Sequence, residues 1–440
     1  MILKKIFPCL LASFLMGPAL TFSVFAAEKP VEILTLKQTI ESAIEANIGL
    51  QSSQEGTKAA QATQKGQKTL FLPTFNVTYK LDRDDSAFSV GGSVFGSKQE
   101  YSLITTVTQP IFTGFANLNQ YKIASLGLDV AKINEKLVRQ DIIFNAKRIY
   151  FSMLEAQKLF DIAQKTVTQL KAHTEVAQNY YQVGMTPLND YLQAQVELAN
   201  AEQDLIVAKN NLENAESDFN LLLRRPLETP VKIDDITDYF SFEQDLDYCF
   251  AEADNNRLEV KVATLEVEIK EKEVRLAGKN YYPSIDLQGS YFNIGADWDV
   301  NGGTGITDPS GWNILATASW NFWEWGRTSY GVHEKHSRLS QARLQKTEIL
   351  DNIHLQVKKA YLRTQEAEKA IITVERAIEQ AKENFRINEE RYKAQVATST
   401  DVLDAQTLLA RTVTNYYKAL YAFKTSKAAL YRTIGQEIIE

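Results

Sequence analysis

Two carboxylates three residues apart, Asp401 and Asp404, are the groups in this chain best placed to act on a charged solute. They open a helical pattern, so both project to one side of it. Repeated around a symmetric assembly they would form two acidic rings, which constrict a pore and favour cations. An acid in the first helical turn also complements the helix dipole. That explains Asp190 at the matching place earlier in the chain and competes with the ring role for Asp401; Asp404 is less easily explained so. His333 and His336 have chelating i, i+3 spacing. With only His173 and His354 besides them and no cysteine nearby, they read as a solvated helix face. Neither a metal nor a cofactor is expected. No phosphate-binding glycine loop or nucleophile elbow occurs, so the chain is not expected to be an enzyme.

The elements that must position these acids come twice. Tyr150, Glu155 and Ala156 recur 211 residues later as Tyr361, Glu366 and Ala367, and Tyr181, Asp190, Leu192, Ala194 and Gln195 recur as Tyr392, Asp401, Leu403, Ala405 and Gln406. A register of 210 matches Leu72-Pro73-Thr74 to Tyr282-Pro283-Ser284. A shared period of this size marks internal duplication. Each half reads as helix, proline, strand, polar glycine-rich loop, strand, very long helix, short turn and second long helix. The first repeat is placed at 28–225, with a β-hairpin over 75–110 and helices over 116–180 and 188–224. A connector at 226–255 follows. The second repeat is placed at 256–436, with a hairpin over 284–323 and helices over 327–393 and 400–434, and a tail at 437–440 ends the chain.

Apolar residues in the long helices step by alternating fours and threes: Ile149, Met153, Ala156, Phe160, Ala163, Val167 and Leu170, then Leu198, Ala201, Leu205, Ala208, Leu212, Ala215, Phe219 and Leu222. That spacing predicts supercoiling about a neighbour, and alanine lets the helices approach closely. A helix running from Ala116 to Tyr180 is roughly 100 Å long at about 1.5 Å per residue. No globular domain accommodates it; a wide compartment to be crossed does.

The strands alternate apolar and polar residues, as in Phe75 to Asp82, Tyr101 to Gln109, Ile285 to Tyr291 and Trp312 to Phe322, where Leu315 is the exception. A soluble sheet with one wet face shows the same alternation. Two features favour a membrane. All five tryptophans fall within the 28 residues from Trp298 to Trp325, so Trp312, Trp320, Trp323 and Trp325 read as an aromatic girdle. The run lengths also match the ~9–11 tilted residues that cross a bilayer. A membrane sheet leaves no backbone group unpaired, so it closes. Four strands cannot close around a pore, and oligomerisation follows; three chains, giving 12 strands, are preferred over two. Asp82 to Lys98 and Asn293 to Gly311 become the extracellular loops.

Residues 1–27 read as an export signal, with Lys4 and Lys5, an apolar stretch from Ile6 to Phe25 and small residues at its end. Cys9 lies inside it, leaving Cys249 alone, so no internal disulfide is expected. Removing the two signal lysines takes the net charge from −7 to −9, which argues against nucleic acid as a partner. Beyond the signal no run of 18 or more apolar residues occurs, so no helix is expected to span a bilayer.

In their order and duplication these pieces resemble the TolC-like outer-membrane efflux protein family over essentially the whole mature chain. The residues that carry the resemblance are the paired turns Tyr180-Tyr181-Gln182-Val183-Gly184-Met185-Thr186-Pro187-Leu188-Asn189-Asp190 and Arg391-Tyr392-Lys393-Ala394-Gln395-Val396-Ala397-Thr398-Ser399-Thr400-Asp401-Val402-Leu403-Asp404. The strand-to-helix step Phe322-Trp323-Glu324-Trp325-Gly326-Arg327 belongs with them, and Ile111-Phe112-Thr113-Gly114-Phe115 is its weaker copy. The resemblance implies an α+β membrane protein: a homotrimeric 12-stranded transmembrane β-barrel in the outer membrane, continuous with a long periplasmic α-helical barrel. It further implies docking to a periplasmic adaptor and an inner-membrane transporter, in efflux or type I secretion. Tyr392, Asn189 and Asp190 then match a hydrogen-bonded gate network. Gln395 and Ala397 stand where the family often carries glycine and a basic residue, so a salt bridge to Asp190 is not expected. Val183, Gly184 and Met185, with Val396 and Ala397, match the tip that adaptors touch, and Gly184 serves equally as a helix C-cap. The competing reading is a periplasmic structural or adhesive coiled-coil protein with soluble β-hairpins.

Overall fold

The computed structural model describes residues 33–438 apart from residues 86–88, 91–92, 95–97, 304–305 and 307. The expected export signal, nearly half of the first extracellular loop and residues 439–440 of the tail lie outside the described residues. In chain order the elements are β1 (Ile33–Leu34), α1 (Leu36–Ala46), α2 (Ile48–Thr69), β2 (Thr74–Arg83), β3 (Ser89–Val90), β4 (Ser93–Val94), β5 (Gln99–Thr113), α3 (Ala116–Gln182) and α4 (Leu188–Leu222). After β6 (Lys232–Ile233) the series recurs as α5 (Leu246–Asn256), α6 (Leu258–Ala277), a 3-10 turn, β7 (Ser284–Gly295), β8 (Ser310–Ser319), α7 (Arg327–Lys393) and α8 (Ser399–Thr433).

The duplication holds to the residue in the long helices. α3 and α7 have 67 residues each and α4 and α8 have 35 each, with starts 211 apart. α1 and α5 match at an offset of 210. This moves the start of the second repeat back from 256 to 246, inside the expected connector. The local cause is Asp245, whose carboxylate accepts the Tyr248 amide at 2.8 Å and starts α5 as an N-cap. What remains of the connector returns to the chain start, where β6 pairs in parallel with β1.

Each strand-to-helix step needs two successive left-handed residues. Gly114 and Phe115 (φ 60° and 66°) supply them in the first repeat, Trp325 and Gly326 (φ 52° and 82°) in the second. At Gly114 a Cβ would sit 2.3 Å from the Lys279 carbonyl oxygen, so only glycine fits. The glycine changes place between repeats, and a phenylalanine or a tryptophan holds the other left-handed position at a steric cost of about 1 kcal/mol.

The sheet order is β2-β5-β7-β8, antiparallel throughout. Its register brings four separate alternations into phase. Phe75, Val77, Tyr79 and Leu81 lie opposite Val107, Thr105, Leu103 and Tyr101; the row continues through Leu287, Gly289 and Tyr291 to Ala316, Ile314 and Trp312. That face carries no charge until Arg83, opposite Gln99 at its loop end. The other bears Asn76, Lys80, Asp82, Glu100, Asp286, Gln288 and Asn313, with Lys80 and Asp82 ion-paired. The exceptional Leu315 falls on this polar face, opposite Gln288. A bulge at Ile111 interrupts pairing beside Pro110, which has no amide hydrogen to give. β8 ends at Ser319, not at the expected 323. Its partner Ser284 follows Pro283, and pairing stops there. Trp320 and Trp323 therefore lie beyond the strand. At the other end the strands run to Arg83 and Gly295, shortening both expected loops.

The helices line up with the sheet. Away from it α4, α3, α8 and α7 pack side by side in that order; nearer to it the order is α2, α3, α6, α7. The apolar stripes of α3 and α4 are buried or half-buried throughout. No described helix is long and apolar enough to cross a membrane. Cys249 is fully buried with Ile353, Val357 and Leu430, and burial pushes its thiol up to about 11.

Candidate functional site

The turns α3–α4 and α7–α8 form the tip of the bundle farthest from the sheet, and both end their long helix alike. The Met185 amide donates to the Tyr180 carbonyl at 2.8 Å and the Gly184 amide to Tyr181 at 3.0 Å; Val396 and Gln395 repeat this with Arg391 and Tyr392, both at 2.9 Å. This paired pattern requires a left-handed residue at its centre. Gly184 supplies it at φ 72°, whereas in the second repeat Gln395 adopts φ 61°.

The two acids separate in role. Asp401 belongs to a capping box: its carboxylate accepts the Thr398 amide and hydroxyl, each at 2.8 Å, while its own amide donates to the Thr398 hydroxyl. Those bonds hold the Asp401 carboxyl below its ordinary range, the backbone amide first. Asp404, one turn on, is exposed and makes no hydrogen bond or ion pair with any described residue of the protomer. Of the two, Asp404 alone is free to meet a solute.

The expected network of Tyr392, Asn189 and Asp190 does not form within one protomer. Tyr392 is 3% exposed and its ring packs on His173 at 5.0 Å and Tyr180 at 5.6 Å, but its hydroxyl lies beside Ser399 without a well-formed hydrogen bond to any described residue. Burial raises the Tyr392 phenol, and the charge of Asp190 adds to this. Asn189 is exposed, and the Asp190 amide bonds back to Pro187 at 3.2 Å. Three other bonds tie the two hairpins instead: His173 Nε2 to Ser399 Oγ at 2.8 Å, the Thr400 hydroxyl to Gln193 Oε1 at 2.8 Å, and Gln406 Nε2 to Gln169 Oε1 at 2.6 Å. None is a salt bridge, in keeping with the missing basic residue. The ties join residues more than 200 positions apart. No local spacing could have found them, although Ser399 and Thr400 stand in the repeated turn motif.

Val183, Met185 and Val396 are well exposed at the tip, and Gly184 has open space where a side chain would point. Ala397 is half-buried. At the sheet, Trp312 stands at the loop end and Trp320, Trp323 and Trp325 at the helix end, all more than half exposed. The eight steps from Trp312 to Trp320 cover about 26 Å of strand. Tilted about 40°, that is about 20 Å of height, near the ~25 Å apolar band of an outer-membrane barrel. Among the described residues no group of three His, Cys, Asp or Glu is close enough to hold a metal, and His333 and His336 are both exposed.

A family model described as outer membrane efflux protein matches residues 39–223 and 250–436. No curated protein matches the sequence. Among solved structures the chain is similar to the CmeC outer membrane channel of Campylobacter jejuni (TM-score 0.80, 16% identity, covering 91% of this chain and 85% of that one). It is similar to the outer membrane protein VceC of Vibrio cholerae (0.79, 15%, 91% and 96%) and to the open state of the Neisseria gonorrhoeae MtrE outer membrane channel (0.77, 17%, 91% and 89%). At these identities the likeness is one of fold.

Proposed function

Because the chain belongs to the outer membrane efflux protein family, an outer-membrane transport family without enzymatic activity, we propose that three copies close into a 12-stranded barrel standing on a periplasmic helical conduit, and that the lumen is a passive exit for the substrates of an efflux pump or a type I secretion system. The observation that carries this reading is the coincidence of margins. One side of the protomer is edged by β2, α2 and α4, the other by β8 and α7, so one rotation joins sheet to sheet and helix to helix. β2 and β8 each present a row of backbone groups without a partner, intolerable in hydrocarbon unless a neighbouring copy pairs them. The helical margins are apolar as well: α4 leaves Ile206 70% exposed and α7 leaves Leu344 71% exposed.

In this assembly the phase-locked apolar face meets lipid and the polar face lines the pore. Soluble hairpins would need no tryptophan at both ends of a strand, so the adhesive coiled-coil reading is the weaker one. The tip acts as the gate: Asp404 supplies a carboxylate ring, and the neutral ties between hairpins hold the closed position. Val183, Gly184, Met185, Val396 and Ala397 receive the hairpins of a periplasmic adaptor, which connects to an inner-membrane transporter. Purification from outer-membrane fractions should give heat-modifiable trimers that conduct as single channels in planar lipid bilayers. A detergent-free, water-soluble monomer would sink the proposal.

A further inference from the structure

The tie at His173 differs from the other two in being able to change charge. Its ring sits on α3, half-buried, with Nε2 2.8 Å from the hydroxyl of Ser399, the fully buried first residue of α8. The Tyr392 ring from the last turn of α7 covers it. Beside it runs a cavity of about 200 Å³ lined by α3, α7 and α8, onto which face the buried Tyr392 and Gln406; the Tyr392 hydroxyl and Gln406 Oε1 both lack a well-formed hydrogen bond to any described residue. The groups that face His173 are few. From α7 come Tyr392, Glu389 and Lys393, the last two paired to each other at 3.2 Å; from α4 comes Asp190; α8 offers Val402, Leu403 and Gln406, none of them charged. On α3 itself Leu170, Ala172 and Val176 complete the wall.

A neutral imidazole fits this place, since a single hydrogen bond to Ser399 satisfies Nε2. A protonated one does not: it carries two N–H groups and a full charge against apolar walls, and of the two carboxylates that favour the charge, Glu389 is already engaged by Lys393. We propose that His173 is a proton-operated tie between the two helical hairpins: neutral, it holds α3 to the first turn of α8, and protonated, it releases them and loosens the tip. Burial lowers His173 below its ordinary value of 6.5, with Glu389 and Asp190 opposing. The packed tip is therefore fully favoured above about pH 6.5 and loses that advantage as pH falls through the ordinary value toward the lowered one. Acidification opens it, and raising the pH closes it. The inference rests on the tip being the gate.

The test is hydrogen exchange of residues 170–182 and 385–405 in the full-length, detergent-solubilised protein at pH 7.5, 6.5 and 5.5, corrected for intrinsic exchange, with single-channel conductance recorded beside it. Wild type should lose protection by about threefold or more between pH 7.5 and 5.5. His173→Gln, which keeps a hydrogen-bonding group but cannot take up a proton, should be flat over that range; His333→Gln, an exposed histidine of α7, should respond as wild type does. An unchanged response in His173→Gln, or none in wild type, overturns the proposal. Should His173→Gln fail to assemble, Ser399→Ala decides: its tip should already be loosened at pH 7.5 and lose less on acidification, and a loss equal to wild type overturns the tie. Exchange needs no conduction, so a protein that never conducts refutes the channel reading separately, while one that conducts without a pH-dependent tip refutes only His173.

Discussion

The two tips share one backbone and differ in almost every side chain that matters. In the first, Tyr181 is 41% exposed and lies parallel to Tyr191 at 6.4 Å; its counterpart Tyr392 is buried beneath α3. The first turn has glycine at its left-handed position and no side-chain cap, since Pro187 precedes α4. The second forces glutamine into that position and compensates with the Thr398–Asp401 capping box. The first tip is thus shaped outward, with Val183, Met185, Leu188 and Leu192 uncovered, and the second inward, toward the other hairpin. Duplication kept the frame while exposed and buried side chains were divided between the copies.

That division can be broken experimentally, and the largest effect belongs to the buried tyrosine. Tyr392→Ala should weaken local stability of the tip by about 3 kcal/mol, whereas Tyr181→Ala should cost under about 1 kcal/mol. Native-state exchange of the two turn peptides measures both, and equal costs would erase the inward–outward contrast. Next comes the cap: Thr398→Ala should cost about 1 kcal/mol at the start of α8. The capping carboxylate adds a pH dependence of definite sign. Asp401 is held below its ordinary 3.8, so its contribution is present above that value and fades as pH falls through the lowered one. Asp401→Asn should remove this acid-side fraying, readable as exchange at the first turn of α8.

Smaller still is the left-handed position. Gln395→Gly should stabilise the second turn by about 0.5–1 kcal/mol and Gly184→Gln destabilise the first by as much. Limited proteolysis of the two turns would order the variants, and a Gln395→Gly tip cut faster than wild type would show that glutamine is favoured there by contacts outside the protomer. Least costly to stability is Asp404→Asn, which breaks nothing within the chain. It should nonetheless reduce cation selectivity in bilayers, while Asp401→Asn leaves selectivity near wild type. The reverse result would return Asp401 to the pore.

Much of this was legible in order along the chain. The 211-residue period, the stripes of the long helices, the alternating strands and the tryptophan-flanked β8 are local repetitions, and local geometry reads them directly: 3.5 residues per turn for supercoiled helices, two for strands. Boundaries that depend on a single contact were missed. α5 was hidden because one aspartate cap starts it, and β8 was overextended because its end is set by the proline that precedes its partner strand.

The sequence by itself therefore determined the long helices and the four long strands, that they come twice, and that one strand face is largely apolar. Only the tertiary structure decided that four alternations share a phase, that both margins of sheet and bundle coincide, that Asp401 is spent on its own helix while Asp404 is free, and that His173 meets Ser399. The reason is physical. Periodicity is a property of neighbours in the chain, whereas register, margins and the tie between residues 173 and 399 are properties of how two 67-residue helices and their partners slide to bury their stripes, and no spacing along one helix encodes the position of the other.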